Sequence, residues 1–163
     1  NPAAKAAAHL VIGRDGSLTQ LAPFNRAAWH AGQSQWEGRS GLNGFSIGIE
    51  LDNAGKLERV GSRWISAVSK RAYADDDVLV ANHKHDRPGT PPIGWHEYGE
   101  AQLEVAAQVG LLLMEKYALK DVLGHEDIAP GRKSDPGPAF PMASFRARLM
   151  GRADDAVEHY VTT

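Results

Sequence analysis

The sequence predicts an α/β fold within one domain, a central mixed sheet flanked by helices. Three observations carry it. His9–Ile12 and Leu18–Leu21 are short apolar runs split by Asp15-Gly16, a dipeptide favoured in tight hairpin turns. Ser46–Leu51 is mostly apolar and rich in β-branched residues, as in a strand covered on both faces. Leu103, Ala106, Ala107, Gly110, Leu113, Met114 and Tyr117 form the i, i+3, i+4, i+7 stripe of an amphipathic helix within Gly99–Tyr117.

The remaining elements follow in order. The hairpin gives two adjacent antiparallel strands. Ala27–Ala31 fits a further short strand, followed by a Gly/Ser-rich loop over Gly32–Gly44. Residues 55 to 97 form the irregular part, with a short helix over Trp64–Tyr73 that Ala74-Asp75-Asp76-Asp77 ends. Asp86–Gly94 contains three prolines and two glycines and reads as loop. Val122-Leu123 fits a brief strand feeding into His125, and Ala143–Leu149 a final helix. The domain spans residues 1 to 150, and residues 151 to 163 read as a polar tail without a core.

A chain of 163 residues suits one domain, in which roughly 70% of the unfolded surface can be buried. Apolar content of 42% and charge of 23% are ordinary globular values. A net charge of -2 exerts no strong pull on nucleic acid or anionic lipid. No apolar run reaches the ~20 residues of a membrane span. The chain has no cysteine, which excludes disulfides, thiolate nucleophiles and thiolate metal sites. A transition-metal site here must combine histidine with carboxylate oxygens.

One stretch concentrates such groups, Gly124-His125-Glu126-Asp127-Ile128-Ala129-Pro130-Gly131-Arg132-Lys133-Ser134-Asp135-Pro136-Gly137-Pro138. His125 and Asp135 offer the nitrogen and oxygen donors that zinc accepts. Lys133 lies two residues before Asp135, so in an extended segment both side chains leave on one side. A cation beside a metal-bound carboxylate suits a site where negative charge develops during reaction. The duller alternatives are a histidine at a strand end, an aspartate that starts a turn before proline, and a surface lysine. Glu50, near the end of an apolar strand, needs either an ion-pair partner such as Arg14 or Arg26 or a chemical role.

This segment resembles the signature of the zinc-dependent N-acetylmuramoyl-L-alanine amidases of type 2. Ala8-His9-Leu10-Val11-Ile12, Arg14-Asp15-Gly16, Gln20-Leu21-Ala22-Pro23, Ala28-Trp29-His30-Ala31-Gly32 and Asn43-Gly44-Phe45-Ser46-Ile47-Gly48-Ile49-Glu50-Leu51 are similar to successive blocks of that family, in its order. The likeness spans roughly residues 7 to 148 and is weakest over residues 55 to 95. Bacterial muropeptide amidases, phage endolysins and peptidoglycan recognition proteins share the family's fold.

The resemblance implies zinc as cofactor and peptidoglycan or muropeptides as substrate, cleaved between N-acetylmuramic acid and L-alanine. It implies His125 and Asp135 as metal ligands, Glu50 as proton carrier and Lys133 as oxyanion partner. It puts Trp29 and His30 on the substrate groove, with Asn43 contacting peptide or holding a turn. The family's first ligand is a histidine on an earlier strand, and no histidine of this chain stands in that context. That ligand is therefore expected upstream of residue 1. His9 is expected to pack near the site without binding metal, and His83-Lys84-His85 to be solvated. The rival functions are a non-catalytic peptidoglycan-binding module of the same fold and a zinc peptidase acting on the stem peptide.

Overall fold

The computed structural model describes residues 7–151. In chain order the strands are β1 (Leu10–Ile12), β2 (Leu18–Gln20), β3 (Gln35–Trp36), β4 (Arg39–Ser40), β5 (Ile49–Leu51), β6 (Lys56–Val60), β7 (Arg63–Ser66), β8 (Ala72–Tyr73), β9 (Val78–Ala81) and β10 (Ile93–His96). The helices are α1 (Glu100–Tyr117), the single turn α2 (His125–Ile128) and α3 (Met142–Met150). The fold is α/β with mixed strand directions. Apart from Gly151, the polar tail lies outside the described residues.

The strands divide into two principal sheets. The first has the order β2-β1-β5, with β1 antiparallel to β2 and parallel to β5. Gly16 takes a left-handed φ of 82° in the β1–β2 turn, as Asp15-Gly16 requires. Helix α1 covers this sheet through a polar side chain. Gln102 is fully buried, and its Nε2 donates to Ile12 O at 2.9 Å and Asp52 O at 3.1 Å. One amide thus bridges the carbonyls at the ends of β1 and β5, and Ile12 O also accepts from Asp52 N at 2.9 Å. Ala106, Ala107 and Gly110 keep the inner face of α1 small, and Leu149 of α3 packs against Gly110.

The second sheet overturns the expectation of an irregular segment. Residues 56 to 96 hold a five-stranded antiparallel sheet of order β8-β7-β6-β10-β9. The expected helix over Trp64–Tyr73 is instead strands β7 and β8 with a turn between them. A helix would bury Val68 beside Trp64, but Val68 is 92% exposed. Gly61 at φ 59° makes the tight β6–β7 turn, and Trp64 pairs with both Arg59 and Tyr73 across its neighbours. Leu57, Trp64 and Val78 form this sheet's own small core, flanked by Ala54 and Tyr73. The segment read as loop over Asp86–Gly94 ends sooner than expected, because β10 starts at Ile93.

Three other local expectations fail for one reason, the lack of a ladder partner. Ala27–Ala31 is bent rather than a strand, held by a bond from Ala7 N to Trp29 O and by Asn43 on Ala31. Val122-Leu123 runs into His125 without pairing. Within Ser46–Leu51 only Ile49–Leu51 is strand, and it is only partly covered, with Glu50 exposed. Among the described residues β5 is the edge of its sheet.

Gly94 marks where β10 passes closest to its own core. A Cβ there would lie 2.6 Å from Trp64 Cε3 and 3.0 Å from a Val78 methyl. Both neighbours are buried parts of the small core, so neither yields cheaply. Gly94→Ala is expected to destabilise by about 1–3 kcal/mol through overpacking. That outweighs the ~0.4–1 kcal/mol gained from a stiffer unfolded chain. Urea denaturation should show a lower midpoint at unchanged slope.

Candidate active site

The site is built on the loop that starts at α2 and runs to Gly137. Gly124 N donates to Asp127 Oδ2 at 2.7 Å, which starts the turn. Glu126 N then donates to Asp135 O at 2.8 Å, folding the loop back on itself. His125 Nδ1 and Asp135 Oδ2 are brought to 3.0 Å. The expected ligand pair is therefore together, on a half-buried histidine and a half-exposed aspartate.

The other ring nitrogen fixes how the pair must be read. His125 Nε2 lies 3.1 Å from Ala31 O, which can only accept, so Nε2 carries the proton in a neutral ring. Nδ1 then points a lone pair at a carboxylate oxygen. Two lone pairs at that distance repel unless a proton or a metal cation stands between them. An imidazole ligand that donates its second N–H to a backbone carbonyl is the usual arrangement at zinc. Tetrahedral zinc with donors at about 2.0–2.2 Å sets two ligand atoms roughly 3.3–3.6 Å apart, so the pair needs to open by only about 0.3–0.6 Å. The pair fits the metal. Among the described residues no cluster of three His, Asp or Glu is present.

Asp135 is tuned toward the charged form. Burial pushes its carboxyl up, but with no metal between the pair a protonated His125, through its hydrogen bond and charge, joins its own backbone amide and the Lys133 ammonium in holding it below the usual range. Lys133 is thus close enough to act on Asp135, as their spacing implied. Its backbone N donates to Ala129 O at 3.0 Å, holding the tight turn of the loop.

Glu50 projects from exposed β5 and forms no ion pair among the described residues. Of its two suggested partners, Arg14 donates to Glu97 O at 2.8 Å instead, and Arg26 forms no ion pair among the described residues. Tyr98 bonds to the loop and feels the charge of Glu50. Its hydroxyl donates to Pro136 O at 3.0 Å, and burial, followed by the charges of Asp135, Glu126 and Glu50, pushes its pKa well up. Three carboxylates therefore act on one partly buried phenol.

The remaining expected residues gather around Ala31. Asn43 Oδ1 accepts from Ala31 N at 2.8 Å, so Asn43 holds the turn. His30 Nε2 donates to Ser46 Oγ at 2.8 Å, whose hydroxyl passes on to Leu42 O. Its ring meets His9 edge-on at 5.4 Å, and a Cβ on Gly48 would run into it. His9 is buried; its Nδ1 accepts from Gly48 N and its Nε2 donates to Arg26 O. Trp29 is 59% exposed.

Three supporting residues were not legible in the sequence. Arg132 Nη2 donates to Ala31 O at 2.9 Å and Gln33 O at 2.6 Å, tying the loop to the Ala31 turn. Tyr98 carries no motif signal at all. His83 was expected in solvent, yet it is buried, with Nε2 2.5 Å from Glu126 Oε2. Its partner lies 43 residues away, so no local pattern announces the contact.

With this geometry in view, the pattern of the family described as N-acetylmuramoyl-L-alanine amidase matches residues 1–138. The chain belongs to that family. It is 38% identical over 144 residues to the 1,6-anhydro-N-acetylmuramyl-L-alanine amidase AmpD of Escherichia coli, covering 87% of this chain and 57% of AmpD. The N-acetylmuramoyl-L-alanine amidase AmiD of the same organism is 32% identical over 141 residues, covering 85% of this chain and 40% of AmiD. A solved structure of AmiD in complex with its substrate, anhydro-N-acetylmuramic acid-L-Ala-D-gamma-Glu-L-Lys, superposes with a TM-score of 0.64 at 27% identity. It covers 91% of this chain and 49% of that one. The chain thus spans about half the length of the amidases it matches.

His30 should make stability depend on pH. Burial, then the neighbouring His9 and His125 rings, lower its pKa from 6.5. As pH falls through 6.5 the unfolded chain takes up this proton before the folded one, so stability is lost on acidification toward the lowered folded value. Glutamine can still donate to Ser46 but does not titrate. His30→Gln is expected to flatten the fall in unfolding free energy between about pH 7.5 and 5.5. An unchanged slope would contradict this.

Proposed function

We propose that this chain carries the catalytic machinery of a zinc-dependent N-acetylmuramoyl-L-alanine amidase. The reaction is hydrolysis of the amide between the lactyl group of N-acetylmuramic acid and L-alanine, in peptidoglycan or muropeptides. The observation that supports it most directly is the His125 Nδ1–Asp135 Oδ2 pair at 3.0 Å, with the tautomer of His125 set by Ala31 O.

His125 and Asp135 would hold the zinc, with a histidine preceding residue 1 as third protein ligand. Zinc, when bound, supplies Lewis acidity toward the scissile carbonyl and toward water. Glu50, exposed at the sheet edge, takes the proton of the attacking water and delivers it to the departing amine of L-alanine. Lys133 meets the negative charge that develops on the carbonyl oxygen. Trp29 offers an exposed ring for the sugar or peptide. A pure binding module would need neither the proton carrier nor the oxyanion cation. The names of relatives such as AmpD make 1,6-anhydro-N-acetylmuramyl peptides the first substrates to assay.

Two variants of the full-length protein test this. Asp135→Ala is expected to lose zinc and activity while keeping its fold, because the loop lies outside both cores. Glu50→Gln should keep zinc and substrate binding but lower turnover by about 10²–10⁴-fold. Full zinc content in the first variant, or near-normal turnover in the second, would overturn the assigned roles. Mass analysis of products separates the rivals: free lactyl ends mean amidase, new ends within the peptide mean peptidase, and no release means a binding module.

A further inference from the structure

The residue next to the proposed ligand His125 is a buried carboxylate with three separate anchors. Glu126 is 4% exposed. His85 N donates to His83 Nδ1 at 3.2 Å, which leaves the His83 proton on Nε2, donated to Glu126 Oε2 at 2.5 Å. Lys84 Nζ reaches Glu126 Oε1 at 2.9 Å and Asp127 Oδ1 at 2.5 Å. Gly137 N donates to the same Oε2 at 3.3 Å from the far end of the loop. The backbone of Glu126 is engaged as well, through its N–H on Asp135 O at 2.8 Å and its carbonyl accepting from His85 Nε2 at 3.1 Å.

These contacts join parts of the chain that the proposed chemistry does not use. His83 and Lys84 lie in the loop that follows β9 of the five-stranded sheet. The His83 ring stacks on Trp95 of β10 at 5.7 Å and 26°. Trp95 is itself fully buried, donates from Nε1 to Ala81 O, and fills the space above Gly137 that a Cβ would need. A buried ion pair adds little net stability over apolar groups of the same size, but it fixes orientation. Here it fixes the one residue whose amide binds Asp135 and whose neighbour is His125.

We propose that Glu126, held by His83 and Lys84, is a positioning residue for His125 and Asp135, so that the five-stranded sheet braces the site loop. The metal role of that pair rests on the amidase reading above; the brace itself does not.

The contact can be isolated at one nitrogen. In His83→Gln the side-chain amide nitrogen falls near Nε2 and can still donate to Glu126. In His83→Asn only the Nδ1 side is mimicked and Glu126 loses its donor. Hydrogen exchange on the metal-free full-length protein is read first, because it needs neither zinc nor substrate. In His83→Asn the amides of Glu126 and Gly137 should exchange at least about 10-fold faster while those of β1 and α1 keep their protection. His83→Gln should stay near wild type. Zinc affinity, by chelator competition, should then fall about 10–100-fold in His83→Asn, the usual effect of losing a ligand's outer partner.

Unchanged loop protection in His83→Asn overturns the brace whether or not the protein is an amidase. Equal loosening in both variants also overturns it, since ring stacking rather than the Nε2 bond would then hold the loop. A loosened loop with wild-type zinc affinity overturns the positioning role. Should either variant fail to fold, Lys84→Met removes the second anchor from a half-exposed position and is read by the same two measurements.

Discussion

The site depends on how the chain between His125 and Gly137 closes on itself. Ten residues separate the two proposed ligands, and an unconstrained loop of that length samples many separations. Two bonds from one residue remove that freedom. The amide of Glu126 binds Asp135 O, and its carboxylate binds Gly137 N, so both ends of the loop meet at Glu126. Nδ1 of His125 is thereby set against Asp135 Oδ2, while Ala31 O holds the opposite side of the ring. Ligand geometry is then settled by the backbone before any metal arrives, which lowers the entropy lost on binding it.

This constraint explains the division of labour between the sheets. The β2-β1-β5 sheet presents Glu50 and, through Gln102, is joined to α1. The five-stranded sheet has a separate core around Leu57, Trp64 and Val78. It reaches the site loop through the residues after β9, through Trp95 and through Tyr98 just beyond β10. Arg132 ties the same loop to the Ala31 turn from the other side. The proposed chemistry occupies the exposed end of an assembly whose buried end is polar and heavily bonded.

What was legible in the sequence follows the range of the interaction. The β1–β2 hairpin, α1 and α3 announce themselves because their signals, a turn dipeptide and apolar periods, are local. His125, Lys133 and Asp135 stand out because reactive groups crowd one short segment. Glu50 stands out as a charge in an apolar run. The five-stranded sheet was hidden because Trp64, Ile65 and Val68 also fit a helical spacing, and only pairing with Arg59 and Tyr73 decides against it. His83, Arg132 and Tyr98 were hidden because each acts across 38 to 101 residues of chain. A polar loop sequence such as His83-Lys84-His85 looks solvated until its buried carboxylate is known.

The most direct measurement is the protonation pattern of the His125 ring, by ¹⁵N correlation spectroscopy of the full-length protein before and after zinc addition. With zinc, the Nε2 proton should remain, held by Ala31 O, and Nδ1 should shift as a metal-coordinated nitrogen. A proton found on Nδ1, or a ring whose two nitrogens ignore zinc, would contradict the central claim that His125 and Asp135 form a metal-binding pair.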